Sequence, residues 1–221
     1  AVDQSQDSPT NNFATLNPLE NYWQVATFSN GNNTAVTGTD KYAPVQSTFG
    51  MTAGKWYWEV KPTAGGTDHL IGICSTQVLA SNNELGQWAN DWAYNASNGS
   101  YRNSDTGTSY GNTYVNDDII GVALDLTNNK LYFAKNGTWQ DSGDPTSGAT
   151  GTGAISITAV GSTPLGVYFA GVAYWVTGTA TFNTNFGNGC FGDTAVTSAV
   201  ADGNGYGLFE YAPPSGYLAL C

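Results

Sequence analysis

Three stretches decide the fold class: Gly54-Lys55-Trp56-Tyr57-Trp58-Glu59-Val60, Asp118-Ile119-Ile120-Gly121-Val122-Ala123-Leu124-Asp125 and Lys130-Leu131-Tyr132-Phe133-Ala134-Lys135-Asn136-Gly137. Each is short, rich in β-branched and aromatic residues, and closed by turn formers, the pattern of strands. Side chains on a strand alternate between two faces, so Trp56 and Trp58 share one face and Tyr57 takes the other. In the second stretch Ile120, Val122 and Leu124 fall on one face and Ile119, Gly121 and Ala123 on the other, which predicts a central strand covered on both sides. Asn128-Asn129 joins the second stretch to the third, and Asn136-Gly137 closes the third; these residues tolerate the positive φ that a tight turn demands.

Working outward, residues 24–28, 70–74, 155–160, 165–170 and 180–185 also read as strands between Gly, Asn and Pro clusters. Only residues 81–88 leave room for a helical turn or two, and no window carries a sustained i, i+3, i+4, i+7 apolar stripe. The expectation is an all-β, antiparallel two-sheet sandwich with little or no helix, its core including Trp56, Trp58, Ile120, Val122, Leu124, Leu131 and Phe133. Residues 96–112 and 140–153 read as long solvated loops. Residues 1–27 read as an extended strap in which Pro9 and Pro18 break any helix and Phe13 and Leu16 act as anchors. The sandwich is expected over 28–190, and 191–221 as an extension packing on it or on a neighbour. The start at Ala1 reads as processing or as an excerpt of a longer product.

Charged residues make up 10% of the 221, with a net charge of −11. Only six Lys and Arg residues are available to neutralise phosphates, and they are not clustered, so a nucleic-acid partner is excluded. No apolar run approaches the ~20 residues of a membrane-spanning helix, and membrane insertion is not expected. Seven Trp and thirteen Tyr supply a core, so the Asn-, Thr-, Ser- and Gly-rich remainder is a polar surface of the kind common in extracellular proteins and virion parts. Cys74, Cys190 and Cys221 lack metal-ligand spacing; Cys74 reads as a buried thiol and the other two as free thiols.

Leu85-Gly86-Gln87-Trp88-Ala89-Asn90-Asp91-Trp92-Ala93-Tyr94 looks too polar for a core strand. Trp88, Trp92 and Tyr94, joined to Tyr101, Arg102 and Tyr110, form a candidate platform: aromatic faces stack on the C–H faces of sugars while Asn and Asp bond hydroxyls. The alternative is that Trp88 or Trp92 plugs one end of the sandwich. Tyr174 and Trp175 are the second candidate. His69 has no partner at catalytic or metal-ligand spacing and reads as structural. Asp117 and Asp118, as neighbours on a strand, point to opposite faces, and Asp141-Ser142-Gly143-Asp144 lacks the ligand spacing of an EF-hand calcium loop. No catalytic residue, metal or cofactor is expected.

The opening stretches, together with Pro164-Leu165-Gly166-Val167-Tyr168-Phe169-Ala170 and Phe182-Asn183-Thr184-Asn185-Phe186-Gly187, resemble in order the strands of the SPRY (B30.2-like) sandwich, over about residues 28–187. Asp117-Asp118 departs from the Gly-Asp more usual there. The resemblance implies a binding module and not an enzyme. Outside the sandwich, Asp7-Ser8-Pro9-Thr10-Asn11-Asn12-Phe13-Ala14-Thr15-Leu16-Asn17-Pro18-Leu19 and Tyr211-Ala212-Pro213-Pro214-Ser215-Gly216-Tyr217-Leu218-Ala219-Leu220-Cys221 resemble segments of tailed-bacteriophage virion proteins. What they imply is a tail fibre or other virion surface appendage that binds a host surface glycan or protein beside other virion proteins. A homo-oligomer follows from that setting, a trimer favoured, helped by an apolar tail at 216–221 that would be poorly solvated alone. Two alternatives stand beside it: a structural decoration or cement protein of the virion, and a glycan-degrading enzyme on a sandwich scaffold.

Overall fold

The computed structural model describes residues 12–19, 25–38, 44–76 and 84–221. Among them the chain forms β1 (Thr27–Ser29), β2 (Thr34–Val36), β3 (Val45–Met51), β4 (Lys55–Ala64), β5 (His69–Cys74), β6 (Asp91–Asn95), β7 (Ser100–Asn103), β8 (Thr106–Ser109), β9 (Ile120–Asp125), β10 (Lys130–Lys135), β11 (Thr138–Trp139), β12 (Ile155–Ser156), β13 (Tyr168–Tyr174), β14 (Thr181–Asn185), β15 (Cys190–Phe191), β16 (Thr194–Ala195) and β17 (Leu218–Ala219). The larger sheet runs β1-β2-β14-β4-β9-β10-β11, with β12 added against β10 and β17 against β4; the smaller runs β3-β13-β5-β6-β7-β8. Every pairing within these sheets is antiparallel except β17 with β4.

Register sets the faces. Trp56 and Leu131 both lie opposite Leu124, and Trp58 and Phe133 opposite Val122, which gathers these side chains on one face of the larger sheet. That face packs on Ile71, Ile73, Trp92, Tyr94, Tyr168, Ala170 and Val172 of the smaller sheet in one core. Trp58, Ile120, Val122, Leu124, Leu131 and Phe133 are fully buried, while Trp56 stays half-buried with its indole N–H donating to the Ala53 carbonyl.

As the two-faced sequence of β9 requires, both its faces are covered. Tyr57, Ala123 and Tyr132 lie on the outer face and are buried, Tyr57 against Trp139 and against Phe209 of the C-terminal segment, and Tyr132 against Trp139. Phe209 sets its edge on Tyr57 at 5.1 Å, the Tyr217 hydroxyl donates to the Pro145 carbonyl, and Lys55 Nζ lies 5.5 Å from the Tyr217 ring centre. Glu59 fastens this cover from inside the sheet. Its Oε1 accepts from the Tyr57 hydroxyl (3.1 Å) and the Tyr211 N–H (2.8 Å), and its Oε2 from Asn185 Nδ2 (3.1 Å) and the Glu210 N–H (3.0 Å). The tail closes on its own sandwich: Tyr217, Ala219 and Leu220 are buried and the Leu220 carbonyl accepts the Ala14 N–H at 2.8 Å. The solvation argument for self-association therefore falls away, because the apolar side chains of the tail are already covered within one chain.

Two readings of the sequence are corrected. Residues 96–112 are not one long loop, since they contain β7 and β8 joined by a tight turn with Ser104 and Asp105 at positive φ. Residues 91–95, within the stretch that looked too polar for a core strand, form β6, and all five are buried. Local bonds absorb the polarity there: Asp91 Oδ1 accepts the Ser75 N–H, and Asn95 Oδ1 accepts both the N–H and the hydroxyl of Ser97. β3 went unread, 155–160 shortens to β12 before a 3₁₀ turn at Val160–Ser162, and β13 begins three residues after its expected start. Residue 24 of the expected first strand, 81–83 of the possible helical turn and residues 1–11 of the strap lie outside the described residues. No disulfide joins the three cysteines: Cys74 is buried, Cys190 half-buried and Cys221 exposed.

A pH dependence follows from the buried acids. Burial pushes the Glu59 carboxyl from an ordinary 4.5 up to about 7, against the pull of its four hydrogen bonds. Burial likewise lifts Asp91 from 3.8 to about 7. The folded chain thus holds protons that the unfolded chain has already released, so this stability is complete below the ordinary values and lost as pH rises through about 7. His69, held down by burial from 6.5, acts in the opposite sense and costs stability as pH falls below that value. With two groups against one, urea denaturation is expected to show stability declining from about pH 5 to 7.5 and levelling above, with Glu59→Gln flattening the decline. A steady rise across that window would contradict the assignment.

Candidate functional site

The outer face of the smaller sheet carries the site. Ala93 lies opposite Arg102 and Tyr94 opposite Tyr101, so strand alternation sends Tyr94 and Tyr101 inward with Trp92's face and leaves Ala93 and Arg102 outward. On β13, Ala173 lies opposite Leu70 on this same outer face, and Trp175 follows it two residues on. Leu70, Cys74, Leu85, Ala93 and Ala173 form a small apolar cluster apart from the main core, with Phe169 and Trp175 partly buried against it.

Segment 84–90 lies across this cluster. Gly171 gives Leu85 its seat: a Cβ there would sit 3.2 Å from Leu85 Cδ1. Gly86, at φ +87°, packs so closely on β7 that its Cβ would come within 2.9 Å of Arg102 Cβ. Arg102 is the hub. Its guanidinium carbon lies 4.3 Å from the Trp175 ring centre, and Nη2 is 2.5 Å from Glu84 Oε1 and 2.6 Å from Asp105 Oδ1. The planar guanidinium serves stacking and in-plane ion pairs at once, which an ammonium group cannot do. Glu84 is buried at 4% exposure, so this ion pair is desolvated, whereas Asp105 is open to water. Asn103 Nδ2 donates to the carbonyls of Trp88, Ala89 and Asp91 at 3.3, 3.0 and 2.9 Å, which fixes the loop under Trp88. Trp88 itself is 43% exposed. The result is a face that carries the half-buried Trp175 indole and the exposed Asp105 carboxylate, with the exposed Trp88 on the adjoining segment.

The candidate residues separate accordingly. Arg102 and Trp175 come together, and Trp88 stands beside them on segment 84–90. The platform of exposed aromatics is otherwise corrected, because Trp92, Tyr94, Tyr110 and Tyr174 are buried. Trp92 packs edge-on against Tyr168 at 5.8 Å, Tyr94 stacks on Phe133 at 5.3 Å, and Tyr110 meets Tyr94 edge-on at 5.8 Å. Tyr101 is half-buried against Tyr110, and the Tyr174 hydroxyl donates to the Gly65 carbonyl. His69 lies fully buried beside Tyr114, Tyr174 and Phe182, its Nε2 2.9 Å from Asn116 Oδ1. Asp117 sits at φ +71° in the turn before β9 and pairs with Lys61, while Asp118 pairs with Lys135. Glu84, Leu85 and Asp105 were missed; the Arg102-to-Asp105 spacing across a two-residue turn was their one sequence signal.

A family model for the SPRY domain matches residues 55–155. Over that span the chain is similar to SPRY domains. Ran-binding protein 9 of Danio rerio is 34% identical over 99 residues, 43% of this chain and 17% of that protein. Ran-binding protein 9 of Homo sapiens is likewise 34% identical over 99 residues, which is 14% of its length. The chain thus matches only a minor part of these relatives. Among solved structures, the SPRY domain of human HERC1 has a TM-score of 0.57 at 14% identity, covering 76% of this chain and 96% of that one. Stonustoxin has a TM-score of 0.55 at 18% identity, over 78% of this chain and 27% of its own. At such identities the structural likeness concerns the SPRY fold alone. The matched SPRY segment includes β6, β7 and β8, hence Arg102 and Asp105, whereas Trp175 lies beyond it.

Proposed function

We propose that this chain is a non-enzymatic interaction module that captures a protein partner with the outer face of its smaller sheet, at Trp88, Arg102, Asp105 and Trp175. The supporting observation is Arg102, held between Trp175 and two carboxylates, which presents an aromatic rim without loss of order on binding. The matched relatives are named Ran-binding proteins, and the SPRY match agrees with a protein ligand as a class. The sugar-stacking reading loses ground, since Trp92, Tyr94 and Tyr110 of its platform are buried in the core. Trp88→Ala is expected to weaken partner binding by ~2 kcal/mol or more while leaving the melting temperature within a degree or two of wild type. Unchanged affinity for a partner captured by the wild-type protein, or a large loss of stability, would remove Trp88 from the interface. Binding on a glycan array that depends on Trp88 would replace the protein ligand with a sugar.

The setting we infer is a virion surface appendage, from the sparse charge and from the flanking segments 7–19 and 211–221. In that setting several copies together multiply weak contacts, and a trimer presenting the rim three times fits it. Mass spectrometry and immunolabelling of assembled particles test the placement; finding the chain only in a cellular complex overturns it. Light scattering at ~100 μM tests the trimer, and a clean monomer counts against self-association by these residues.

A further inference from the structure

A second surface lies on the flank of the sandwich, where both sheets end. β8 is the last strand of the smaller sheet, paired only with β7, and all four of its residues are exposed. Its sequence, Thr106-Gly107-Thr108-Ser109, has none of the lysines or prolines that commonly guard an edge, so backbone groups facing away from β7 are open to another strand. β11 ends the path of the larger sheet. Between Ser109 and the residues after it and the segment running on from β11 lies a cleft of about 390 Å³, lined by 109–112 and 138–142. Its walls are tied together. Gln140 is 3% exposed, accepts the Asn112 N–H at 2.8 Å and donates to the Thr138 carbonyl at 2.8 Å.

The cleft has a charge to offer. Asp141 lines it, is exposed, and takes part in none of the ion pairs of the described residues, which engage Lys55, Lys61, Arg102 and Lys135. Asp141 and Ser142 both hold positive φ, at +53° and +54°, a conformation that side chains with a Cβ rarely adopt. The net charge of −11 further favours a basic partner.

We propose that an extended peptide adds to β8 as a further strand and seats a lysine or arginine side chain in the cleft against Asp141. Main-chain bonds along Thr106–Ser109 hold such a peptide whatever its sequence, and the cleft selects the basic residue. The proposal does not depend on the outer-face reading, which uses the side chains of Trp88, Arg102, Asp105 and Trp175, whereas this one uses the backbone of β8 and the cleft beside Ser109.

The test uses a blocked heptapeptide of alternating Thr and Val with a central Lys, and the same peptide with Glu at the centre, in titration calorimetry at low salt. The Lys peptide is expected to bind about tenfold more tightly than the Glu peptide, and Asp141→Asn to reduce that preference about fivefold. Backbone N-methylation of the peptide is expected to abolish binding, and the amides of 106–109 to gain protection from hydrogen exchange. Asp193→Asn, an exposed acid elsewhere, is expected to leave the affinities of both peptides unchanged. No binding of the Lys peptide at millimolar concentration, equal binding of both peptides, an equal effect of Asp141→Asn and Asp193→Asn, or no added protection along β8 would each overturn the proposal.

Discussion

Glu59→Ala is expected to destabilise the protein by at least ~3 kcal/mol, about 6–12 °C in melting temperature for a chain of this size. The carboxylate is fully buried and accepts four hydrogen bonds, two of them from backbone N–H groups of the C-terminal segment. Removing it leaves the Glu210 and Tyr211 N–H groups without that acceptor and Asn185 Nδ2 with only the Leu208 carbonyl, and each orphaned donor costs ~1–3 kcal/mol before relaxation. The C-terminal cover is expected to detach before the sheets separate, so limited proteolysis should cut the variant between 203 and 216 under conditions that spare the wild type. Glu59→Gln keeps the shape but replaces one acceptor with a donor, and an intermediate loss is expected. Wild-type melting and protease resistance in both variants would show that the cover is held by its apolar contacts alone.

Trp58→Ala is expected to cost ~3–5 kcal/mol, the range for truncating a buried aromatic and leaving a cavity. Trp58 is fully buried opposite Val122, in the middle of the core between the sheets. Trp56→Ala is the informative control, because Trp56 lies on the same face but stays half-buried near the β3–β4 turn. A loss of less than half that of Trp58→Ala is expected for it in denaturant titration. Equal losses would mean that the strand end is packed as tightly as its middle.

The strands that were legible in the sequence are those whose residues alternate or whose two faces are both apolar: β4, β5, β9, β10 and β14. β9 was read correctly as central because Gly121 and Ala123 make its second face small rather than polar. β6 was lost because Asp91 and Asn95 signal a loop, and their burial is made tolerable by bonds to Ser75 and Ser97 that nothing in the local pattern shows. That error carried the site with it. Reading 88–94 as exposed turned Trp92 and Tyr94 into ligand contacts, whereas a strand there makes every second residue face the core. Arg102 and Trp175 were both chosen from the sequence, but their contact depends on β7 and β13 bracketing β5 and β6 in one sheet, a long-range relation with no local signature.

The Glu59 clamp has a kinetic consequence. Its backbone partners lie 151 and 152 residues further along the chain. A ribosome adding ~5–20 residues per second needs about 8–30 s to travel from the carboxylate to the amides that satisfy it. Over the last part of that interval, the about 4–16 s from Tyr132 to Glu210, Tyr57, Ala123 and Tyr132 present an uncovered sheet face to the cell. High contact order of this kind slows closure after release as well. The nascent chain is thus exposed to aggregation for seconds at a time, and its yield should depend on chaperones that shield that one face until the last strand arrives.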